Sequence, residues 1–280
     1  MAESTQKLFK RWRAGDQQAG ATMAQRFSDW YYAVAASRLG DRDGRAPLDR
    51  ACRRFSEGIT SLQDVDTLVA WAHEIIVEEL AAAGGRLSGG DQPNALTRNQ
   101  SPTALLQKAR ERLEESQVRL LVHAYDAGYP LDDLKRESES AGGYPLAVLE
   151  ARYALKRVLR DELGVKLTEV PDGRPRLDLA PLPLYEAGRM SSVAEETAFE
   201  QWMLSEMALC KDLAEFAAFA LALRGGALAG SPVAPTTTSS EGEVSLDIPE
   251  DTGGSRLPLL AGVVVVVVVL ALAAVFLMGG

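Results

Sequence analysis

The chain has 280 residues, with 30 basic and 39 acidic side chains and a formal net charge of −9. A composition of 46% hydrophobic and 25% charged residues is that of a folded protein and excludes wholesale disorder. Its two cysteines, Cys52 and Cys210, exclude a disulfide framework and a CxxC-type zinc site. The sequence contains no phosphate-binding glycine motif and no nucleophile elbow, and the histidines His73 and His123 stand far apart. We therefore predict a protein that is not an enzyme and needs no cofactor or metal.

The N-terminal part predicts a helical domain over 1–88. Apolar residues recur there at the spacing of one helix face, and no stretch alternates as a strand would. The predicted helices cover about 4–14, 16–39, 47–58 and 64–83. Residues 84–103 are rich in Gly, Asn, Gln and Ser, and we interpret 89–103 as a linker. The predicted fold class is all-α.

A second helical domain is predicted over 104–165. Its parts are one helix over 104–126, a short helix from 131 to about 140, a glycine turn and a longer helix over 145–163. This outline is typical of a helix-turn-helix. Four basic side chains of the last helix are candidate DNA contacts: Arg152, Lys156, Arg157 and Arg160. The alternative interpretation is a solvated basic face.

Residues 166–225 predict a third helical piece, a helical hairpin. Ser192 and Glu195 have the spacing of a capping box that begins a helix. An apolar stripe follows, which is either core or the surface for a protein partner on the helices of 191–224. Cys210 is the only thiol there, and one thiol cannot hold zinc.

The C-terminal part predicts a membrane anchor. Residues 257–278 form an uncharged run of 22 residues, about 33 Å long as a helix, which matches the hydrocarbon core. Residues 226–256, rich in Pro, Thr, Ser, Gly and acids, predict a disordered tether. Arg256 precedes the apolar run, so the positive-inside rule favours a single span in the cytoplasmic (inner) membrane with the N-terminal head in the cytoplasm.

The chain resembles a sigma factor of the extracytoplasmic-function type over about 6–165. FKRWRAGDQQAGATMAQRFSDWYYAVAASRLGDRDGRA (9–46) is similar to the start of that family's core-binding domain, and LQDVDTLVAWAHEIIVEEL (62–80) to its last helix. Residues 112–165 look like the promoter-reading helix-turn-helix domain. Residues 177–224 resemble the helical module of anti-sigma factors without its zinc ligands. The resemblance implies promoter DNA and core RNA polymerase as partners, with polymerase contacts at Trp30, Arg45, Arg50 and Arg53.

Two function classes remain open. Family members carry an acidic run where this chain has GRAPLDRACRRF (44–55), and they tend to be basic where it has Glu74, Glu78 and Glu79. The first class is a membrane-tethered transcription regulator with an anti-sigma-like module in cis. The second is a tail-anchored cytoplasmic interaction scaffold that keeps the sigma-like helices without recognising promoters.

Overall fold

A computed structural model describes residues 3–87, 90, 100–126, 143–173 and 175–229, without the side chains of 41–43. These residues contain ten α-helices and no strand, which confirms the all-α class for this part of the chain. The helices are α1 (Thr5–Arg13), α2 (Gln17–Asp43), α3 (Arg45–Gly58), α4 (Leu68–Ala82), α5 (Pro102–Arg110), α6 (Glu115–Tyr125), α7 (Tyr144–Arg157), α8 (Leu182–Ala187), α9 (Val193–Met203) and α10 (Met207–Arg224). The predicted short helix over 131–140, the predicted tether beyond Ala229 and the membrane segment lie outside the described residues. Ala227 and Leu228, at the start of the predicted tether, are buried.

Side-chain caps fix where several helices begin. Ser4, Asp16 and Ser101 each accept a hydrogen bond from a backbone N–H of the first turn of α1, α2 and α5. Ser192 Oγ accepts from the Glu195 N–H at 3.1 Å, as the capping-box spacing predicts. Such caps satisfy N–H groups that have no partner inside the helix.

The single helix predicted over 104–126 is wrong, because the chain forms two helices there. Residues 111–114 leave the helical path, and Glu114 has extended dihedral angles (φ −67°, ψ 145°) at the N-cap of α6. Glu114 and Gln117 form a reciprocal capping box, which gives the second helix its own start. The helix predicted over 145–163 continues from α7 into one π-helical turn at Val158–Glu162.

Two hydrophobic cores form, and α8–α10, here called the C-terminal helices, contribute to both. The first core joins α1–α4 with residues of α7 and with the start of α10 at Leu209 and Leu213. The second core joins α5–α7 with the end of α10 at Phe216 and Phe219. Helix α10 also packs along α2. The C-terminal helices therefore lie between the two predicted sigma-like parts and complete the core of each.

Within the described ranges, no helix combines the length and apolarity needed to cross a membrane. The predicted membrane segment 257–278 is not among those ranges.

Candidate functional site: two buried charge clusters

The first cluster surrounds a buried carboxylate of α9 and is called the Glu200 cluster. Arg38 of α2 donates to both oxygens of Glu200, at 2.9 and 2.8 Å. His73 Nε2 lies 2.7 Å from Oε2, and the Tyr185 hydroxyl donates to Oε1 at 2.7 Å. The Trp30 indole N–H donates to the Glu200 backbone carbonyl at 2.7 Å. One residue of the C-terminal helices thus meets α2, α4 and α8.

The charge of Glu200 is balanced by its partners. Burial would raise the pKa of this carboxyl, but the hydrogen bond to His73 and the positive charge of Arg38 bring it below its ordinary value. Although burial alone would lower the pKa of the Arg38 guanidinium, the negative charge of Glu200 raises it overall. The pair is therefore ionised in the folded chain at neutral pH.

The second cluster surrounds a fully buried guanidinium of α7 and is called the Arg152 cluster. Arg152 donates to both oxygens of Glu186, at 2.8 and 2.6 Å, and its Nη2 lies 2.7 Å from Asp212 Oδ2. Lys156 Nζ donates to Asp212 Oδ1. The Tyr125 hydroxyl donates to Glu186 at 2.5 Å. Both cations come from α7, and both carboxylates come from the C-terminal helices.

Packing completes the surroundings of Arg152. Its guanidinium carbon lies 4.3 Å from the centroid of the Phe216 ring, a cation–π geometry. Its Nη1 atom is buried and has no hydrogen-bond partner within the described part of the chain. Burial would raise the pKa of the Asp212 carboxyl, but the charges of Arg152 and Lys156 hold it below its ordinary value. The pKa of Arg152 lies well above its ordinary value because two carboxylates outweigh the cost of burial.

The two clusters meet at two consecutive residues of α8. Tyr185 bonds into the Glu200 cluster, and Glu186 accepts from Arg152 in the other. Arginines also hold the backbone at this point: Arg86 donates to the Tyr185 carbonyl at 3.0 Å, and Arg224 Nε donates to the Glu186 carbonyl at 2.6 Å. A movement of α8 would therefore disturb both clusters.

The structure separates the four candidate DNA contacts into two pairs. Arg152 and Lys156 are buried, with 0% and 2% of their surface exposed, and both form ion pairs inside the protein. Arg157 is exposed and donates to the Pro171 carbonyl at 3.5 Å, whereas Arg160 pairs with Asp161 at 2.6 Å. In this arrangement only the second pair is open to solvent, so a phosphate cannot reach Arg152 or Lys156.

The four candidate polymerase contacts are also divided. Trp30 is 0% exposed and belongs to the first core. Arg45, Arg50 and Arg53 lie exposed on α3, where Arg50 pairs with Glu79 at 2.6 Å. The predicted aromatic contact is thus covered by the C-terminal helices, and the predicted basic contacts are not.

Sequence reasoning missed the acidic half of both clusters. Glu186, Glu200 and Asp212 each stand among apolar residues, in PLYEAG, FEQWM and KDLAEFAAFA. A carboxylate in an apolar helix stripe rarely becomes buried unless it is paired, and that signal could have indicated ion pairs. What the sequence does not show is which upstream cation faces each acid.

Cys52 and His73 are both buried. Burial raises the pKa of the Cys52 thiol to about 12. His73 is a buried, hydrogen-bonded residue of the Glu200 cluster. In the described part of the chain, no group of three or more His, Cys, Asp or Glu residues is arranged to hold a metal ion.

Comparison with known proteins returned no relative. No family model matches the chain, and no curated protein and no solved structure resembles it at a significant level. The function must therefore be inferred from the geometry of the two clusters and from the sequence pattern.

Proposed function

We propose that the chain is a membrane-tethered, sigma-type transcription regulator whose nucleic-acid-contacting helix is masked by its own C-terminal helices. One observation carries this proposal. The two buried cations of α7, Arg152 and Lys156, are neutralised by Glu186 and Asp212 of the C-terminal helices. In the proposed DNA-bound state, phosphate oxygens would take the place of these carboxylates beside Arg152 and Lys156.

The physical chemistry favours an exchangeable partner for these cations. Removing an arginine and a lysine from water costs several kcal/mol each. The attraction to a carboxylate offsets this desolvation penalty only when the geometry of the ion pair is good. A nucleic acid offers the same kind of bidentate oxygen acceptor and also releases counterions on binding. Helix α7 would therefore have two alternative binding partners: the acidic C-terminal helices of the same chain, or a nucleic acid.

The C-terminal helices also cover the surface of α2 that we propose for polymerase binding. Trp30 is buried in the first core, and its indole N–H donates to the Glu200 carbonyl of α9. If the C-terminal helices withdrew, Trp30 and Arg38 would be uncovered on α2, which packs against α3 and its exposed arginines. Core RNA polymerase is the partner that the sigma-type pattern implies for this face.

The tether is proposed from the sequence alone. The apolar run 257–278 would hold the head at the cytoplasmic membrane through the acidic segment 226–256. Deletion of 257–280 should move the protein from the membrane fraction to the soluble fraction. Recovery of the deletion variant in the membrane fraction would contradict the tether.

DNA titration tests the masked helix. The full chain in mild detergent is titrated with a labelled 40-base-pair duplex at 50 and 200 mM salt. Wild type should bind weakly. Asp212→Asn, which removes the carboxylate shared by Arg152 and Lys156, should bind more tightly. With three phosphates neutralised, its affinity should fall about fortyfold between the two salt concentrations.

Two further variants make the DNA result specific. Asp178→Asn removes one carboxylate from an exposed pair with Arg176 and should behave as wild type. Lys156→Ala added to Asp212→Asn should reverse the gain. Equal binding by wild type and Asp212→Asn would refute the proposal.

The scaffold function is favoured by a different observation. Arg152 is fully buried and pairs with carboxylates of the C-terminal helices, and this burial also suits a permanent structural ion pair. Pull-down of core RNA polymerase separates the two functions. Capture by Asp212→Asn but not by Asp178→Asn supports the regulator, and no capture by either supports the scaffold.

A further inference from the structure

The C-terminal helices cover two faces that lie on different parts of the chain. The Glu200 cluster holds them against α2 and α4, and the Arg152 cluster holds them against α6 and α7. Neither cluster contains a residue of the other. A mechanical connection between them exists all the same, because Tyr185 and Glu186 are neighbours in one six-residue helix, α8.

We propose that α8 couples the two faces, so that the C-terminal helices leave α2–α4 and α6–α7 together and each face is uncovered only when the other is. The proposal rests on the proposed function for what the uncovered faces bind, and on the contacts of α8 for the coupling itself. A partner of one face would then raise the affinity of the other face for its own partner. By linkage the effect is reciprocal.

The contacts of α8 explain why one half cannot open alone. A rotation that removes the Tyr185 hydroxyl from Glu200 also turns the next residue, Glu186, away from Arg152. The carbonyls of both residues are held by Arg86 and Arg224. Both arginines also donate to the Ser37 carbonyl of α2, so the backbone of α8 is fixed to the N-terminal part of the chain.

Buried charge makes intermediate states unfavourable. If α8 moved and Arg152 stayed covered, its guanidinium would lose Glu186 while it remained out of water. An uncompensated buried charge costs more than an exposed one, so the half-open arrangement lies above both the closed and the open ones. The helix therefore has two discrete positions, which is the physical requirement for coupling between distant sites.

Hydrogen–deuterium exchange tests this coupling without DNA or polymerase. The full chain in mild detergent is compared with Asp212→Asn and with Glu200→Gln. For Asp212→Asn the remote reporter is α4, which meets the C-terminal helices through His73. For Glu200→Gln the remote reporter is α6, which meets them through Tyr125. Helix α1, which packs on α2, is the internal reference.

The expected result is faster exchange in the remote reporter, by at least about tenfold, with little change in α1. Asp178→Asn and Glu195→Gln, which change exposed carboxylates of the same region, should leave both reporters unchanged. Faster exchange confined to the helices that contact the substituted residue would overturn the proposal. If exchange in α1 accelerates equally, the substitution has destabilised the whole fold. Tyr185→Phe, which removes a single hydroxyl from the Glu200 cluster, is then measured instead, with α6 as the remote reporter and α1 as the reference. Faster exchange in α6 but not in α1 supports the coupling, and unchanged exchange in α6 overturns it.

The outcome is independent of the proposed function. Coupled exchange without any DNA binding by Asp212→Asn would leave the coupling in place and refute the masked DNA contact. DNA binding by Asp212→Asn with α4 unchanged would do the reverse.

Discussion

Replacing Arg152 by methionine tests the energetics of the Arg152 cluster most directly. The change keeps an unbranched apolar stem in the second core and removes the guanidinium. Glu186 loses two hydrogen bonds, at 2.8 and 2.6 Å, and keeps only the Tyr125 hydroxyl from the cluster. Asp212 loses a contact at 2.7 Å and keeps Lys156.

The expected cost follows from these contacts. Breaking a buried ion pair by removing one partner costs about 3–5 kcal/mol, because the other charge stays buried. The lost cation–π contact with Phe216 adds about 0.5–1 kcal/mol, and the better packing of methionine returns a similar amount. We therefore expect Arg152→Met to lower the free energy of unfolding by about 4 kcal/mol.

A second substitution should recover part of this loss. Adding Glu186→Gln removes the carboxylate that Arg152→Met leaves without its cation. The double variant should be about 2 kcal/mol less stable than wild type, a smaller loss than that of Arg152→Met alone, because it leaves no unpaired carboxylate at position 186. Arg157→Met, on the exposed side of the same helix, is the matched control and should cost under about 0.5 kcal/mol.

Urea unfolding followed by far-ultraviolet circular dichroism gives all four free energies. A cost below about 1 kcal/mol for Arg152→Met would refute the reasoning, because removing this guanidinium leaves the buried Glu186 and the partly buried Asp212 without their shared cation. Equal effects of Arg152→Met and Arg157→Met would refute it as well.

Three further predictions concern acid, packing and thiol chemistry. The pKa values of Glu200 and Asp212 are lowered on folding, so their stabilisation is complete above about pH 4–5 and is lost as the pH falls through the folded values. Urea titrations from pH 7 to pH 3 should show this decline, and Glu200→Gln should make it shallower. Gly58→Ala would place a Cβ 2.6 Å from Trp71 Cζ2 and should cost about 1–2 kcal/mol, whereas Gly90→Ala meets no neighbour within 4 Å; equal stabilities would contradict this. Because burial raises the pKa of both cysteine thiols to about 12, a thiol reagent at pH 8 should label them only after urea is added, and fast labelling of the native chain would exclude the buried positions.

The sequence predicts local structure well here, because local signals determine it. Apolar spacing places α1 and α4 to within a few residues, and Ser192 with Glu195 marks the start of α9. The break between α5 and α6 is local too. It was missed because Glu114 caps α6 although Ser, Thr, Asp and Asn are the usual N-cap residues, and because the sequence around it lacks glycine and proline.

The candidate site was predicted less well, because its pairs join residues that are distant in the chain. Arg152 and Lys156 stand four residues apart, a spacing that also suits an exposed basic stripe. Their partner Asp212 is 56 residues beyond Lys156, and Glu200 lies 162 residues beyond Arg38. Helical periodicity gives the face of each helix and not its neighbour, so it cannot tell a solvated cation from a buried one.

The C-terminal helices and DNA, which we propose compete for α7, respond differently to salt. This difference determines how the C-terminal helices can be displaced. The C-terminal helices carry seven acidic and three basic side chains over 182–224. Their key contacts with Arg152 and Lys156 are buried, so ions in solution screen them little. DNA would meet the same cations through an exposed interface, and its affinity falls steeply as salt rises. Raising the ionic strength therefore weakens DNA binding without weakening the contacts of the C-terminal helices with α7. Release has to come from a partner that binds the uncovered faces or from a movement of α8 itself.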